Sequence, residues 1–205
     1  NLGWGVEEAR LLANALPHCH SLTELFLEGN CLSNAGTECL ASALPRCLEL
    51  KEVLLANNQI GNTGAKALAQ ALGQCRKLER LELHGNAIGE VGAANLAAAL
   101  PTVRCLRDLL LQDNHLGDLG AQAVAAVLPS CAYLKCLVMD RTGAGRAAGP
   151  CFAEAVPKAL RLQLLHLEGT HVTEGACKAL QEAWLLAGKP ERSLLNGTSY
   201  PALML

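Results

Sequence analysis

Aromatic residues are almost missing from this 205-residue chain: two Phe, two Trp and two Tyr supply 3% of it. Large rings cannot fill its core, so the 51% apolar content must do so through smaller side chains. A charge excess of one sign is missing as well. Seventeen basic and nineteen acidic residues leave a net charge of −2, which argues against a nucleic-acid or anionic-membrane binder and against a disordered polyelectrolyte. No apolar run approaches the roughly 18 residues of a membrane span, because Glu, Arg, Asn or Gln interrupts every leucine-rich stretch.

Enzymatic signatures are equally scarce. No G-x-x-x-x-G-K-[ST], G-x-S-x-G or H-E-x-x-H occurs. Gly143-Ala144-Gly145-Arg146-Ala147-Ala148-Gly149 has the outline of a dinucleotide fingerprint, with Glu168 further on. Its apolar neighbours Phe152, Val156, Leu162 and Leu165 nevertheless keep the periodicity described below, which makes it a drifted connecting loop. His18-Cys19-His20 and the pair Cys131 and Cys136 lack the spacing of a four-ligand metal set. No catalytic residue, metal or cofactor is expected. Ten cysteines amount to about 5% of the chain, below the roughly 8–10% of small disulfide scaffolds, so free thiols in a reducing, cytoplasmic setting are expected. Nothing at the start of the given sequence resembles a signal peptide, and its first residue, Asn1 rather than Met, leads us to expect a fragment or processed product. The triplet Asn196-Gly197-Thr198 reads as a chance glycosylation sequon.

What the chain has in excess is leucine and alanine, 42 and 33 residues, and they are periodic. The segment Leu22-x-x-Leu25-x-Leu27-x-x-Asn30-x-Leu32 returns every 28 residues, at Leu50, Leu78 and Leu106, then more loosely at Leu134 and Leu162. Each copy is followed by apolar residues at helical spacing: Leu40/Leu44, Leu68/Leu72, Leu96/Leu100, Val124/Leu128, Phe152/Val156 and Leu180/Trp184. Gly36, Gly64, Gly92 and Gly120 recur in step between the two halves, where a turn or a close approach excludes a side chain. Each unit therefore reads strand, loop, helix, loop.

On these residues the chain resembles the leucine-rich repeats of the ribonuclease-inhibitor-like class, as found in the repeat domains of NOD-like receptors. The resemblance covers about residues 2–187 and implies an α/β fold: a right-handed solenoid, curved as a crescent, with a parallel concave sheet and convex helices. One unit cannot bury its own leucines, so units stack and stability accumulates over repeats and interfaces. We expect a repeat domain over residues 1–187, its first unit truncated, and an irregular cap or tail over 188–205. The half-repeat at Asn1 leads us to expect further repeats, another domain or an assembly covering the N-terminal face.

The periodic Asn30, Asn58, Asn86 and Asn114 are expected to satisfy buried loop amides. Function is sought instead in the outward strand positions. Their central column is Phe26, Leu54, Glu82, Leu110, Val138 and His166; its neighbour contains Glu28, His84, Gln112, Asp140 and Glu168. Phe26/Leu54 and Leu110/Val138 form two apolar spots flanking Glu82 and His84, unexplained by the core. Nine acids against five bases over all outward positions favour a mildly basic or amphipathic protein partner over nucleic acid. The leading expectation is a non-catalytic protein-interaction scaffold that binds through its concave face. A ligand-sensing or autoinhibitory segment of a NOD-like receptor is the alternative. A GTPase-activating relative ranks below both, because the chain ends in Tyr200-Pro201-Ala202-Leu203-Met204-Leu205 rather than an acidic tail.

Overall fold

The leucines of each unit can share one interior only if strand and helix lie on opposite sides of it, and the chain folds accordingly. The computed structural model describes residues 2–195 and 198–205. Six short strands, β1 (Glu24–Phe26), β2 (Glu52–Leu54), β3 (Arg80–Glu82), β4 (Asp108–Leu110), β5 (Cys136–Val138) and β6 (Leu164–His166), run parallel in chain order. Their register is the repeat itself: Leu25 pairs with Val53, Val53 with Leu81 and Leu137 with Leu165. Helices α1 (Val6–Ala15), α2 (Ser33–Ala43), α3 (Asn62–Leu72), α4 (Glu90–Ala99), α5 (Gly117–Val127), α6 (Ala148–Ala155) and α7 (Glu174–Leu186) pack on one another in the same order. The result is the expected α/β leucine-rich solenoid.

Local chemistry sets the element boundaries. Pro17, Pro45, Pro101 and Pro129 each enter a 3-10 turn directly after a helix, because proline has no N–H with which to continue the α-helical ladder. Cys19, Cys47 and Cys131 follow three of those turns, and Cys75 holds the same place after α3, which ends without one. Their thiols donate back to the carbonyls of Ala15, Ala43, Ala71 and Val127 over 3.3–3.9 Å, which explains a small, weakly polar residue there. All ten cysteines are unpaired thiols, as expected. Burial pushes Cys75 and Cys131 up to about 11, so neither is a ready nucleophile at neutral pH.

The in-step glycines lie inside helices and not at turns; the close-approach alternative is the one realised. A Cβ on Gly120 would sit 2.8 Å from the Ala93 Cβ of the preceding helix and 3.3 Å from the Glu90 Cα. Gly120→Val is expected to destabilise the domain by about 1–3 kcal/mol through overpacking. At Gly175, where nothing lies within 4 Å, alanine should instead stabilise by roughly 0.4–1 kcal/mol. Urea midpoints of the two variants, shifted in opposite directions, check both statements.

The four buried asparagines do what their periodicity suggested. The Asn86 Oδ1 accepts from the amides of Asn58 (2.9 Å) and Ile60 (3.0 Å), one repeat back. Its Nδ2 donates to the carbonyls of Leu55 (3.0 Å) and Leu83 (2.9 Å). Asn114 repeats the pattern toward Ile88, Leu83 and Leu111, and Asn30 closes the first loop by accepting from Leu2 and Trp4. Thr142 and Thr170 reach only Met139 and Leu167, within their own repeats.

The expectation of an irregular cap after residue 187 needs correcting. Gly188, at φ +63°, ends α7 in the left-handed conformation that glycine tolerates. Beyond it β7 (Arg192–Leu195) and β8 (Thr198–Pro201) form an antiparallel hairpin. β9 (Leu203–Met204) then joins the main sheet beside β6 as its seventh strand. Asn196 and Gly197 of the sequon lie outside the described residues. Among the described residues no helix is long and apolar enough to cross a membrane.

Candidate partner-binding face

Side chains of a strand alternate between faces, so Glu24, Phe26 and Glu28 point away from the leucine core, as do their equivalents on β2 to β6. The concave face divides into three regions. At β1 and β2 it is open: Phe26 is 54% exposed, Glu24 and Lys51 are exposed, and Glu28, Glu52 and Leu54 are half-buried. Pairing of Phe26 with Leu54 puts the two apolar side chains next to each other, and Glu24 meets Glu52. None of Glu24, Glu28, Glu52 and Lys51 forms an ion pair among the described residues. Three free carboxylates therefore surround an exposed ring with one free amine.

The middle region is a buried row of charge on β3 and its end. Arg80 and Glu82, two residues apart on the same face, are only 8% and 6% exposed. The guanidinium grips Glu82 with its Nε 2.7 Å from Oε1 and with Nη2, while Nη1 lies 3.8 Å from Asp108. His84 Nδ1 sits 3.5 Å from the other Glu82 oxygen. Burial raises the Asp108 carboxyl above its ordinary value, with Arg80, Arg107 and Lys135 opposing. Glu82 is therefore not the exposed contact expected from its place in the column; it is committed to Arg80. His84 and Gln112 are half-buried, and His84 Nδ1 and Gln112 Oε1 lack hydrogen-bond partners among the described residues.

The third region is covered. Leu110, Val138 and His166, expected as outward contacts, are each 5% exposed because the chain's own hairpin lies over them. Leu110, Cys136, Val138 and Leu164 make a second apolar cluster, separate from the main core, against which Leu195 packs. His166 Nε2 lies 2.8 Å from the Pro201 carbonyl, so this nitrogen carries the proton, and its ring meets Tyr200 edge-on at 6.0 Å. Asp140 is half-buried: it accepts from the Glu168 amide at 2.7 Å, and burial raises its pKa. Cys136, under the same cover, is pushed up to about 12, first by burial and then by Asp108.

Ion pairs also cross between strands: Arg107 bonds Glu79 at 2.7 Å, and Arg141 holds Asp113 at 2.6 Å. A second periodic column carries structural work that the sequence reading passed over. Asn34 Oδ1 accepts from the Gly61 and Gly64 amides, and Asn62 Oδ1 from those of Gly89 and Gly92. Asp118 does the same for Gly145 and Ala148 at 2.7 and 3.1 Å. Each caps the next repeat's helix, and the 28-residue spacing of Asn34 and Asn62 was the available signal. At the Gly143–Gly149 loop the amides that a pyrophosphate would need are thus taken by the Asp118 carboxylate. A cleft of about 790 Å³ is a polar groove between α2 and α3 on the helical side, lined by Glu38, Arg46, Lys66 and Gln70.

The Leucine Rich repeat family profile matches four successive segments, residues 18–41, 47–69, 74–97 and 104–125. No curated protein matches the chain by sequence. Among solved structures, the tropomodulin C-terminal domain of Caenorhabditis elegans is similar with a TM-score of 0.58 and 15% identity, over 89% of this chain and 93% of that one. Leiomodin-1 Actin-Binding Site 2 is similar with a TM-score of 0.55 and 16% identity, over 86% and 87% of the two chains. An internalin from Listeria monocytogenes reaches a TM-score of 0.55 and 19% identity over 84% of this chain and 48% of its own. Family match, 28-residue register and solenoid architecture agree that this chain is a leucine-rich repeat protein.

Proposed function

We propose that the domain is a non-catalytic protein-interaction module that engages its partner on the open part of the concave face, around Phe26. The observation that carries this reading is the Phe26 ring, more than half exposed on a strand whose other face is core. An exposed aromatic beside an aliphatic neighbour is the usual anchor of a protein interface, and the solenoid concavity presents it on a rigid support. Free Glu24, Glu28 and Glu52 around it favour a partner segment that carries an apolar anchor flanked by Lys or Arg.

Leiomodin-1 Actin-Binding Site 2 is named for actin. At 16% identity that likeness supports the fold and leaves the partner of this chain to its own residues. A NOD-like receptor segment of the ribonuclease-inhibitor-like class stays a second reading, supported by the helix in each 28-residue unit. Ten unpaired thiols suit a reducing compartment.

The test is affinity capture with the wild-type domain and with Phe26→Ala, partnered by circular dichroism. Phe26→Ala should weaken binding of the captured partner roughly ten-fold or more, about 1.4 kcal/mol at least, with an unchanged spectrum. A partner that binds both forms equally removes the concave site. Glu82→Arg cannot serve in this assay, since it would disrupt the buried pair with Arg80.

A further inference from the structure

The end of a solenoid needs a segment to satisfy its last strand, and β9 does that work by itself. The amides of Leu165 and Leu167 on and beside β6 donate to the Ala202 and Met204 carbonyls, both at 2.8 Å. β7 and β8 go further than a cap requires. Leu195 packs on the cluster that Leu110, Cys136, Val138 and Leu164 contribute from β4, β5 and β6, and Arg192 shares a cleft with Arg107 and Asp108 at β4. The hairpin pairs with itself in a two-stranded sheet separate from the main one.

A lone two-stranded hairpin is marginal in water. This one is held by the Leu195 contact and by His166, whose ring meets Tyr200 and the Pro201 carbonyl. Its seal on the sheet is incomplete. A cleft of about 520 Å³ remains between hairpin and concave face, lined by Arg107, Asp108, Lys135, Cys136 and Arg192. The covered surface is therefore a preformed aliphatic site with an occupant that carries little stability of its own.

We propose that the Leu110–Cys136–Val138–Leu164 patch is a second partner-binding surface and that the β7–β8 hairpin is its displaceable intramolecular ligand. The partner is a protein segment of extended backbone that places a branched aliphatic side chain where Leu195 sits and a backbone carbonyl where His166 can donate. This deepens the interaction reading above and rests on it. It assigns the acidic, aromatic region at Phe26 and the aliphatic region at Val138 to one long concave interface, the second half opened by exchange of strands.

The test uses the full chain and Leu195→Asp, which detaches the hairpin while leaving β9 and Ala202 in place. Site-resolved maleimide labelling compares Cys136, under the hairpin, with Cys75, inside the solenoid. Cys136 in the wild type should label at least ten-fold faster than Cys75. Static exposure would favour Cys75, at 5% against 2% for Cys136, so lifting of the hairpin is the source of that order. Leu195→Asp should raise the Cys136 rate a further ten-fold and leave Cys75 protected. A fluorescent peptide of residues 190–205 should bind this variant at least ten-fold tighter than it binds the wild type, and lose binding when it carries the same Leu→Asp exchange. Cys136 as protected as Cys75 in the wild type, or equal peptide affinity for the two chains, overturns the proposal. If Leu195→Asp exposes Cys75 as well, the wild-type rates decide. None of these measurements involves Phe26 or an outside partner, so failure of the broader reading is seen separately in the capture assay.

Discussion

Asn86→Ala is expected to cost the domain about 3–5 kcal/mol, a large share of the roughly 5–15 kcal/mol that holds a typical domain together. The truncation removes the partner of two buried amides, Asn58 and Ile60, and of the Leu55 carbonyl; the Leu83 carbonyl keeps its bond from Asn114. Three orphaned groups at about 1–3 kcal/mol each, partly relieved by water entering the space, give the estimate. Because Asn86 joins two repeats, denaturant curves of the variant should also lose cooperativity as the halves uncouple. Thr142→Ala supplies the internal control. It deletes one bond within a single repeat, at 2.7 Å to Met139, and should cost about 1 kcal/mol. Equal midpoints for the two variants would contradict the bridging role.

Arg80→Met is expected to be nearly as damaging, at about 3–5 kcal/mol, because it leaves the Glu82 carboxylate buried without its cation. Adding Glu82→Leu to that background should recover most of the loss, since an aliphatic pair in place of a buried ion pair is often neutral or stabilising. A double-mutant cycle read by urea unfolding measures the coupling. Strictly additive losses would show that Glu82 stays solvated and that the pair belongs to the surface. The same cycle distinguishes fold from function, because recovery of stability makes the middle of the concave face available to binding assays.

Fold and register were legible in the sequence because the periodicity is redundant. Leucines, helix spacing, asparagines and glycines all repeat at 28 residues, and any one of them aligns the others. The identity of the outward column was equally legible, since alternation in a strand is fixed by the pleat. Its exposure was not. Whether Leu110 and Val138 see water depends on a segment about sixty to eighty residues away that follows no repeat, and solenoid logic says nothing about it. A local signal is present in the sequence: Asn196-Gly197 between two short runs is a strong hairpin dipeptide, and it overlaps the glycosylation triplet. The burial of Glu82 escaped for a related reason. Its dominant contact, with Arg80, runs along its own strand between residues i and i+2, where a column drawn across strands does not look.

The substitution of Thr142 and Thr170 for asparagine has a mechanical side. Buried amide side chains lace the first four strand loops together, and the lacing stops at Asn114. The hairpin lies over β4, β5 and β6, across the stretch where that lacing is absent. It acts there as a splint. Pulled from its two ends, the array should part first beyond the fourth strand, and anything that lifts the splint softens the spring at that point while the N-terminal repeats stay stiff.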